Sequence, residues 1–480
     1  MILTILCLGV SPKAQAVVPP PDGGYPGFNT AEGQNSLFSL STGVGNAAVG
    51  WHSLFSNTDG SFNTAVGAGT LLFNIGDQST GNGNQNTAVG AAALLFNTLG
   101  RSNTAVGAAA LLNNSAGPVD TPNGDPGSAN TAIGARALVS NTAGSFNTAN
   151  GYRALESNNT GAFNTATGQS ALASNTTGNF NTATGESALG SNTEGTLNTA
   201  TGKSALGSNS TGDSNTASGN EALFSNTTGD GNTAIGDDTL SNNTEGDGNT
   251  ASGRNALSSN ATGVGNTAMG QFALAFNTTG SINTALGDSA GSNVTSASNV
   301  ICIGAGVGGA NVSDSCFVGN IFGQTSAAGI QVIINSDNKL GTTTSSHRFK
   351  ENIKSMDKAS ETLFSLRPVT FRYKKEIDPE GKGQLGLVAE EVEKVNPDLI
   401  VRDKEGKPYT VRYDQVNAML LNEFLKEHNR VQEQEATIAR LKKTIETVLA
   451  RLTEQELKIQ NVRDQLEMKK TGQYAVANDQ

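Results

Sequence analysis

The sequence predicts a mainly β chain with an α+β C-terminal domain: a single-stranded parallel β-roll or β-solenoid with 17-residue turns, then an α+β domain and a C-terminal trimeric coiled coil. Three observations carry this. A glycine returns every 17 residues over most of the chain; one Leu and two Asn columns travel with it; and a seven-residue apolar repeat takes over between residues 424 and 468.

The glycine stands at 50, 67, 90, 107, 134, 151, 168, 185, 202, 219, 236, 253, 270, 287 and 304. Twelve of the fourteen intervals are 17, and the other two, 67 to 90 and 107 to 134, add 6 and 10 residues. Insertions of that kind become loops on a solenoid, here around 75–85 and 115–128. The glycine closes an Asn-Thr-Ala-x-Gly run such as Asn164 to Gly168. Leu follows four residues later, as in Leu54, Leu172 and Leu274, and Asn seven residues later, from Asn57 to Asn277.

Seventeen residues are too few for a helical hairpin, and Gly and Asn oppose helix. Two short strands and two tight turns per coil are predicted, because Gly and Asn tolerate the left-handed backbone of turns. Leu fills a narrow core, Ala lets backbones approach, and the Asn columns hydrogen-bond along the axis. One coil cannot bury its own apolar face, so stacking supplies the stability. One Leu and one or two Ala per coil make a thin core, which predicts that several chains, most simply three, share it. The pattern resembles the head repeats of trimeric bacterial adhesins, which form left-handed parallel β-rolls, over about residues 44–320. Those repeats are shorter and carry apolar residues where this chain has Thr and Ala. The solenoid is therefore expected at 44–322, behind a linker or cap at 17–43.

The net charge is -11, and residues 17–340 hold only six Lys or Arg, against 24 from residue 345 onward. No basic cluster exists on the rod, which excludes a nucleic-acid partner. Residues 1–16 read as a signal peptide, with an apolar run from Ile2 to Val10 and a small-x-small end at Ala14-Gln15-Ala16. No stretch is long enough to span a bilayer, so the expected location is secreted or cell surface. No metal or cofactor is expected: the three histidines, His52, His347 and His428, have no ligand spacing with the cysteines. Cys302 replaces a column Ala and Cys316 follows about one coil later; they pair, or they are two small buried column residues.

After Gly323 the period stops, and a β stem is expected to residue 344, with a strand at Ile330–Asn335 and a turn at Ser336-Asp337-Asn338. Next come Ser345-Ser346-His347-Arg348-Phe349-Lys350, Leu366-Arg367-Pro368-Val369, Gly386-Leu387-Val388-Ala389-Glu390-Glu391, and Tyr409 to Tyr413. This order resembles the endosialidase-type intramolecular chaperone, a self-cleaving serine peptidase domain found at the end of phage tail spikes and some bacterial surface proteins. The resemblance covers about 345–450. It implies a trimeric α+β domain, here 345–423, that assembles the preceding fibre and then cuts itself off before a serine with a Ser-Lys dyad. Ser345, Arg348 and Lys350 match the family's opening, while Ser346 replaces its Asp and Phe349 its Leu. The resemblance thus implies cleavage between Thr344 and Ser345, with Ser345 as nucleophile, Lys350 as base and Arg348 in support.

A serine hydroxyl needs such a base, and lysine serves when burial or a neighbouring cation eases its loss of a proton. On a helix, positions i and i+5 lie about 140° apart. A working dyad therefore needs a non-helical Ser345 or a lysine from another subunit.

The last segment carries Phe424, Val431, Ile438, Ile445, Leu452, Ile459 and Leu466 at heptad positions a, with Leu441, Val448 and Val462 among the d positions. β-Branched residues at both positions favour three strands. A disordered tail is expected at 469–480. The function expected is a secreted or surface-exposed, adhesin-like trimeric fibre, whose rod meets a surface carbohydrate or another cell-surface ligand. Three alternatives stand beside it. One is a non-cleaving structural fibre. Another is an ice- or ordered-surface-binding solenoid built on Thr165/Thr167, Thr182/Thr184 and Thr199/Thr201. The third is a polysaccharide depolymerase, against which Glu156, Glu186, Glu194, Asp237 and Asp238 are scattered rather than paired.

Overall fold

A computed structural model describes residues 25–115, 126–324, 327, 329–335 and 337–476, with side chains of the last helix to Lys470. The leader expected at 1–16 and most of the second insertion lie outside the described residues. Contacts divide the chain into two units, Met1–Thr325 and Ser326–Gln480.

The first unit is a solenoid. Among the described residues, seventeen three-residue strands, from β1 (Thr30–Glu32) to β17 (Cys316–Val318), form one parallel sheet. Each strand is the Thr-Ala-x of the repeat, and pairing is column on column: Thr165 faces Thr182, Ala166 faces Ala183, Thr167 faces Thr184. The coil begins earlier than the expected 44, since Asn29 to Gly33 is itself an Asn-Thr-Ala-x-Gly run and β1 pairs with β2 (Ala47–Val49). The 75–85 insertion leaves the coil as a loop pinched by an Asp77–Asn82 bridge.

Each coil has one strand, not two. On the far side the backbone alternates in handedness instead of extending. Ser170 has φ 55° and Leu172 φ 52°, and the column Leu residues from Leu37 to Leu274 all lie between 49° and 54°. Their amides still bond coil to coil, as Leu172 N to Ala188 O at 3.0 Å and Ser170 N to Tyr152 O at 2.9 Å. A left-handed residue cannot be β-branched without strain, which accounts for a column of Leu with no Val or Ile. Where Leu gives out, the position is taken by Gly291 at φ 73°. The anchor glycine has a different reason: at Gly168, φ 133°, an added Cβ would run into the Gly185 carbonyl.

The core is a file of Leu and Ala, completely buried at Leu172, Ala166 and Ala171 and in most other coils. Each Leu contributes about 1.5–3 kcal/mol. This burial is complete within one chain, so the solenoid does not need the shared core expected from its composition; the backbone and the Asn columns close the gap that Leu leaves. Asn164 donates to Gly178 O at 2.8 Å and accepts from Asn181 N at 3.0 Å. Asn175 donates to Asn158 Oδ1 at 2.8 Å and to the same Gly178 O at 3.0 Å. The two Asn files are thus buried with their amides occupied. Cys302 and Cys316 are both free, the first buried and the second exposed. Register explains it: Cys316 lies opposite Ile301, and Cys302 opposite Phe317, so the thiols point to opposite faces.

The second unit is α+β. A hairpin pairs β18 (Val332–Ile334) with β19 (Leu340–Thr342). β20 (Val369–Phe371) pairs with β21 (Gln384–Gly386), and β22 (Ile400–Arg402) with β23 (Pro408–Val411), both antiparallel. Helix α1 (Ala389–Val395) and a 3-10 helix at Asp357–Ser365 complete the unit with α2 (Tyr413–Val476), a single helix of 64 residues. α2 runs through 469–476, where a disordered tail is expected; Glu467, Lys469 and Lys470 are good helix formers and no proline intervenes. The buried core here is small: Val392, Leu399, Ile400, Val411, Val416 and Met419.

Candidate functional site

Ser345 lies between β19 and a single 3-10 turn at His347–Phe349. Ser346 is extended (φ -64°, ψ 136°), and so is Lys350 (φ -125°, ψ 139°). The segment is therefore not an α-helix, and the non-helical Ser345 that a dyad requires is present. The turn is closed by Phe349 N to Ser346 O at 3.0 Å and Lys350 N to His347 O at 3.1 Å.

Ser345, Arg348 and Lys350 are all exposed. Neither the Ser345 hydroxyl nor the Lys350 amine makes a hydrogen bond among the described residues. Arg348 lies over the Phe349 ring, 4.6 Å from its centre. The structure thus brings serine, arginine and lysine onto one short exposed segment without joining serine to lysine. Phe349 supplies the face that holds Arg348.

Sequence reasoning missed a second polar cluster in this unit. Ser360, completely buried, donates to Glu423 Oε1 at 2.5 Å and accepts from Asn422 Nδ2 at 2.6 Å. Lys426 Nζ reaches Ser360 Oγ at 3.4 Å and Glu423 at 2.6 Å. Hydrogen bonds from Lys426 and Ser360 hold the Glu423 carboxyl below its ordinary value. The group ties the Asp357–Ser365 helix to α2. The signal that was available is the placing of Asn422 and Glu423 four and three residues before Lys426 on one helix. Nearby, Arg367 grips Glu391 of α1 with two nitrogens, and Leu387 N donates to the Tyr413 hydroxyl at 3.0 Å.

On the solenoid the scattered carboxylates form no acid–base pair among the described residues. Glu156 is clamped by Arg136, at 2.6 Å, and by Arg153. Burial pushes its carboxyl up, but the hydrogen bonds from Arg153 and Arg136 outweigh this and leave it below the ordinary value. Asp237 faces Arg254 at 3.9 Å. Among the described residues no cluster of His, Cys, Asp or Glu could hold a metal ion, and no helix is long and apolar enough to cross a membrane.

A β-solenoid followed by this α+β unit, with the family match that follows, fits a tail-fibre-like protein. Residues 345–401 match the family model described as chaperone of endosialidase, and the chain carries that domain behind its solenoid. The match opens on Ser345 itself. No curated protein and no solved structure is significantly similar to the chain.

Proposed function

We propose that the chain is a secreted or surface-exposed trimeric fibre whose C-terminal domain drives trimerisation and then cuts the chain between Thr344 and Ser345. The observation that carries the trimer is the unpartnered seam of α2. Ile438, Leu441, Ile445 and Val448 are 52, 56, 57 and 49% exposed in the single chain, at heptad spacing. A lone helix with such a stripe has no means of burying it, and three copies in a coiled coil do. Burying the seam compensates for the small core of the unit.

In the proposed cleavage the Ser345 hydroxyl attacks the carbonyl carbon of Thr344. Lys350, brought up on assembly, takes the hydroxyl proton. The C–N bond breaks as the nitrogen of Ser345 gains a proton, leaving an ester between Thr344 and the Ser345 oxygen. Water then hydrolyses the ester to a Thr344 carboxylate and a free serine. Because the two side chains are apart in one chain, cutting would follow correct assembly.

Denaturing electrophoresis and intact mass test this. Wild type should give two pieces, ending at Thr344 and beginning at Ser345, while Ser345→Ala and Lys350→Ala stay full length and trimeric. An intact wild type after assembly sinks the cleavage. Sedimentation tests the trimer separately: Ile438→Asp with Ile445→Asp should be monomeric, since charges in the seam would be desolvated. A monomeric wild type at micromolar concentration sinks the trimer.

A further inference from the structure

The strand face of the solenoid presents two outward columns that flank the buried Ala. The first column is Thr in thirteen successive strands, from Thr64 to Thr284. The second is Val66, Val89, Val106, Ile133, Asn150, Thr167, Thr184, Thr201, Ser218, Ile235, Ser252, Met269 and Leu286. Neither column holds a charge across these strands; charges begin past the glycine corner, at Glu186, Lys203, Asp237 and Arg254.

The hydroxyls of this face are unoccupied. None of the thirteen column Thr, nor Thr167, Thr184 or Thr201, makes a side-chain hydrogen bond among the described residues, so the Thr–Thr ladder that usually occupies such rows is absent there. Threonines on the turns behave differently. Thr176, Thr193 and Thr227 each donate to a carbonyl of the next coil, at 2.9, 3.0 and 3.0 Å. The face is therefore a fixed array of free hydroxyls and methyls, spaced about 4.8 Å along the axis and about 6.6 Å across it. The column-on-column pairing and the two Asn files prevent it from adjusting.

We infer that this face binds the surface of ice, centred on Thr165, Thr167, Thr182, Thr184, Thr199 and Thr201. An uncharged array does not impose radial shells on water, and its hydroxyls can bond to a water lattice while its methyls fill the gaps between them. A glycan surface is a poorer occupant. Sites for organic ligands rely on aromatic walls, and neither column has an aromatic residue in any strand from Ala47–Val49 to Ile301–Ile303. The Phe146, Phe163 and Phe180 rings lie in another column of the rod, stacked on one another at 5.0 Å.

The inference is independent of cleavage and of the trimer. The test uses the full-length chain in ice-recrystallisation and thermal-hysteresis measurements. Wild type should arrest growth at micromolar concentration. Thr182→Lys with Thr199→Lys, at exposed positions with no hydrogen bond to lose, should need at least tenfold more protein. Thr177→Lys, on an exposed turn, should match wild type. Circular dichroism and sedimentation confirm that all three are folded and assembled alike. A wild type without effect on ice overturns the inference, and so does equal damage from Thr177→Lys. Retention on powdered cellulose or chitin without an ice effect overturns it in favour of a glycan ligand.

Discussion

Replacing Leu172 by Ile or by Met separates backbone handedness from burial. All three side chains are apolar and of similar volume, and Leu172 is completely buried. A conservative exchange into Met costs about 1 kcal/mol. Ile adds the strain of a β-branched residue at φ 52°, on the order of 1–3 kcal/mol. The totals are then about 1 kcal/mol for Met and about 2–4 kcal/mol for Ile, or a ~30- to ~900-fold loss of protection for Ile. Hydrogen exchange read by mass spectrometry on peptides spanning 165–190 measures this locally, which suits a repeat array that opens in pieces. Met should exchange only several-fold faster than wild type. Equal rates for Ile and Met, or a milder Ile, would show that the left-handed column does not constrain the residue.

Asn175→Asp should be severe: it removes the donor to Asn158 Oδ1 and Gly178 O and leaves a carboxylate against both acceptors. The loss should be about 3–5 kcal/mol in the coils on either side, by the same exchange measurement; burial against two acceptors raises the new acid above its unfolded value, so the loss should ease as pH falls towards about 4, where the unfolded chain also takes up the proton. The Glu156 clamp should be acid-sensitive. Its carboxyl is depressed in the folded chain, so its contribution is present above the unfolded value of about 4.3 and is lost as pH falls through the lower folded value. Peptides covering Arg136 to Glu156 should lose protection on acidification in wild type, and Glu156→Gln should be less protected at neutral pH and nearly flat with pH.

The glycine spacing made the coil legible because each anchor has a stacking reason, and the buried Asn files followed from two polar columns that no other environment would fix so strictly. The left-handed Leu column was not legible from hydrophobicity, which reads Leu simply as core. The clue lay in what the column avoids, Val and Ile, and in Gly291 taking over at its end. Asn29 to Gly33 shows a plainer miss: the repeat was in the sequence, but its Leu37 neighbour belongs to a coil lying before the first glycine counted. At the candidate site, the residues on the Ser345–Lys350 segment were legible as a motif. The absence of a bond between Ser345 and Lys350 was not, because spacing places the residues on the segment and does not say how their side chains turn. Ser360 was missed for a related reason: its partners lie more than 60 residues away, on α2.

The sameness of the coils has a cost for folding. If the strand at Thr182–Thr184 docked on the one at Thr148–Asn150 and left a coil out, Ala would still meet Ala, Leu would meet Leu and Asn would meet Asn. Such a skipped register loses one coil of burial but is locally hard to tell from the native one, which makes it a trap rather than a transient. The two insertions act as landmarks, because a skip across either would misplace a loop. Between Gly134 and Gly304 there are ten uninterrupted 17-residue intervals and no landmark. Only the order of winding can keep count there: a coil laid on a finished neighbour has one place to go. That uniform stretch is the one that leads, in sequence, into the chaperone domain.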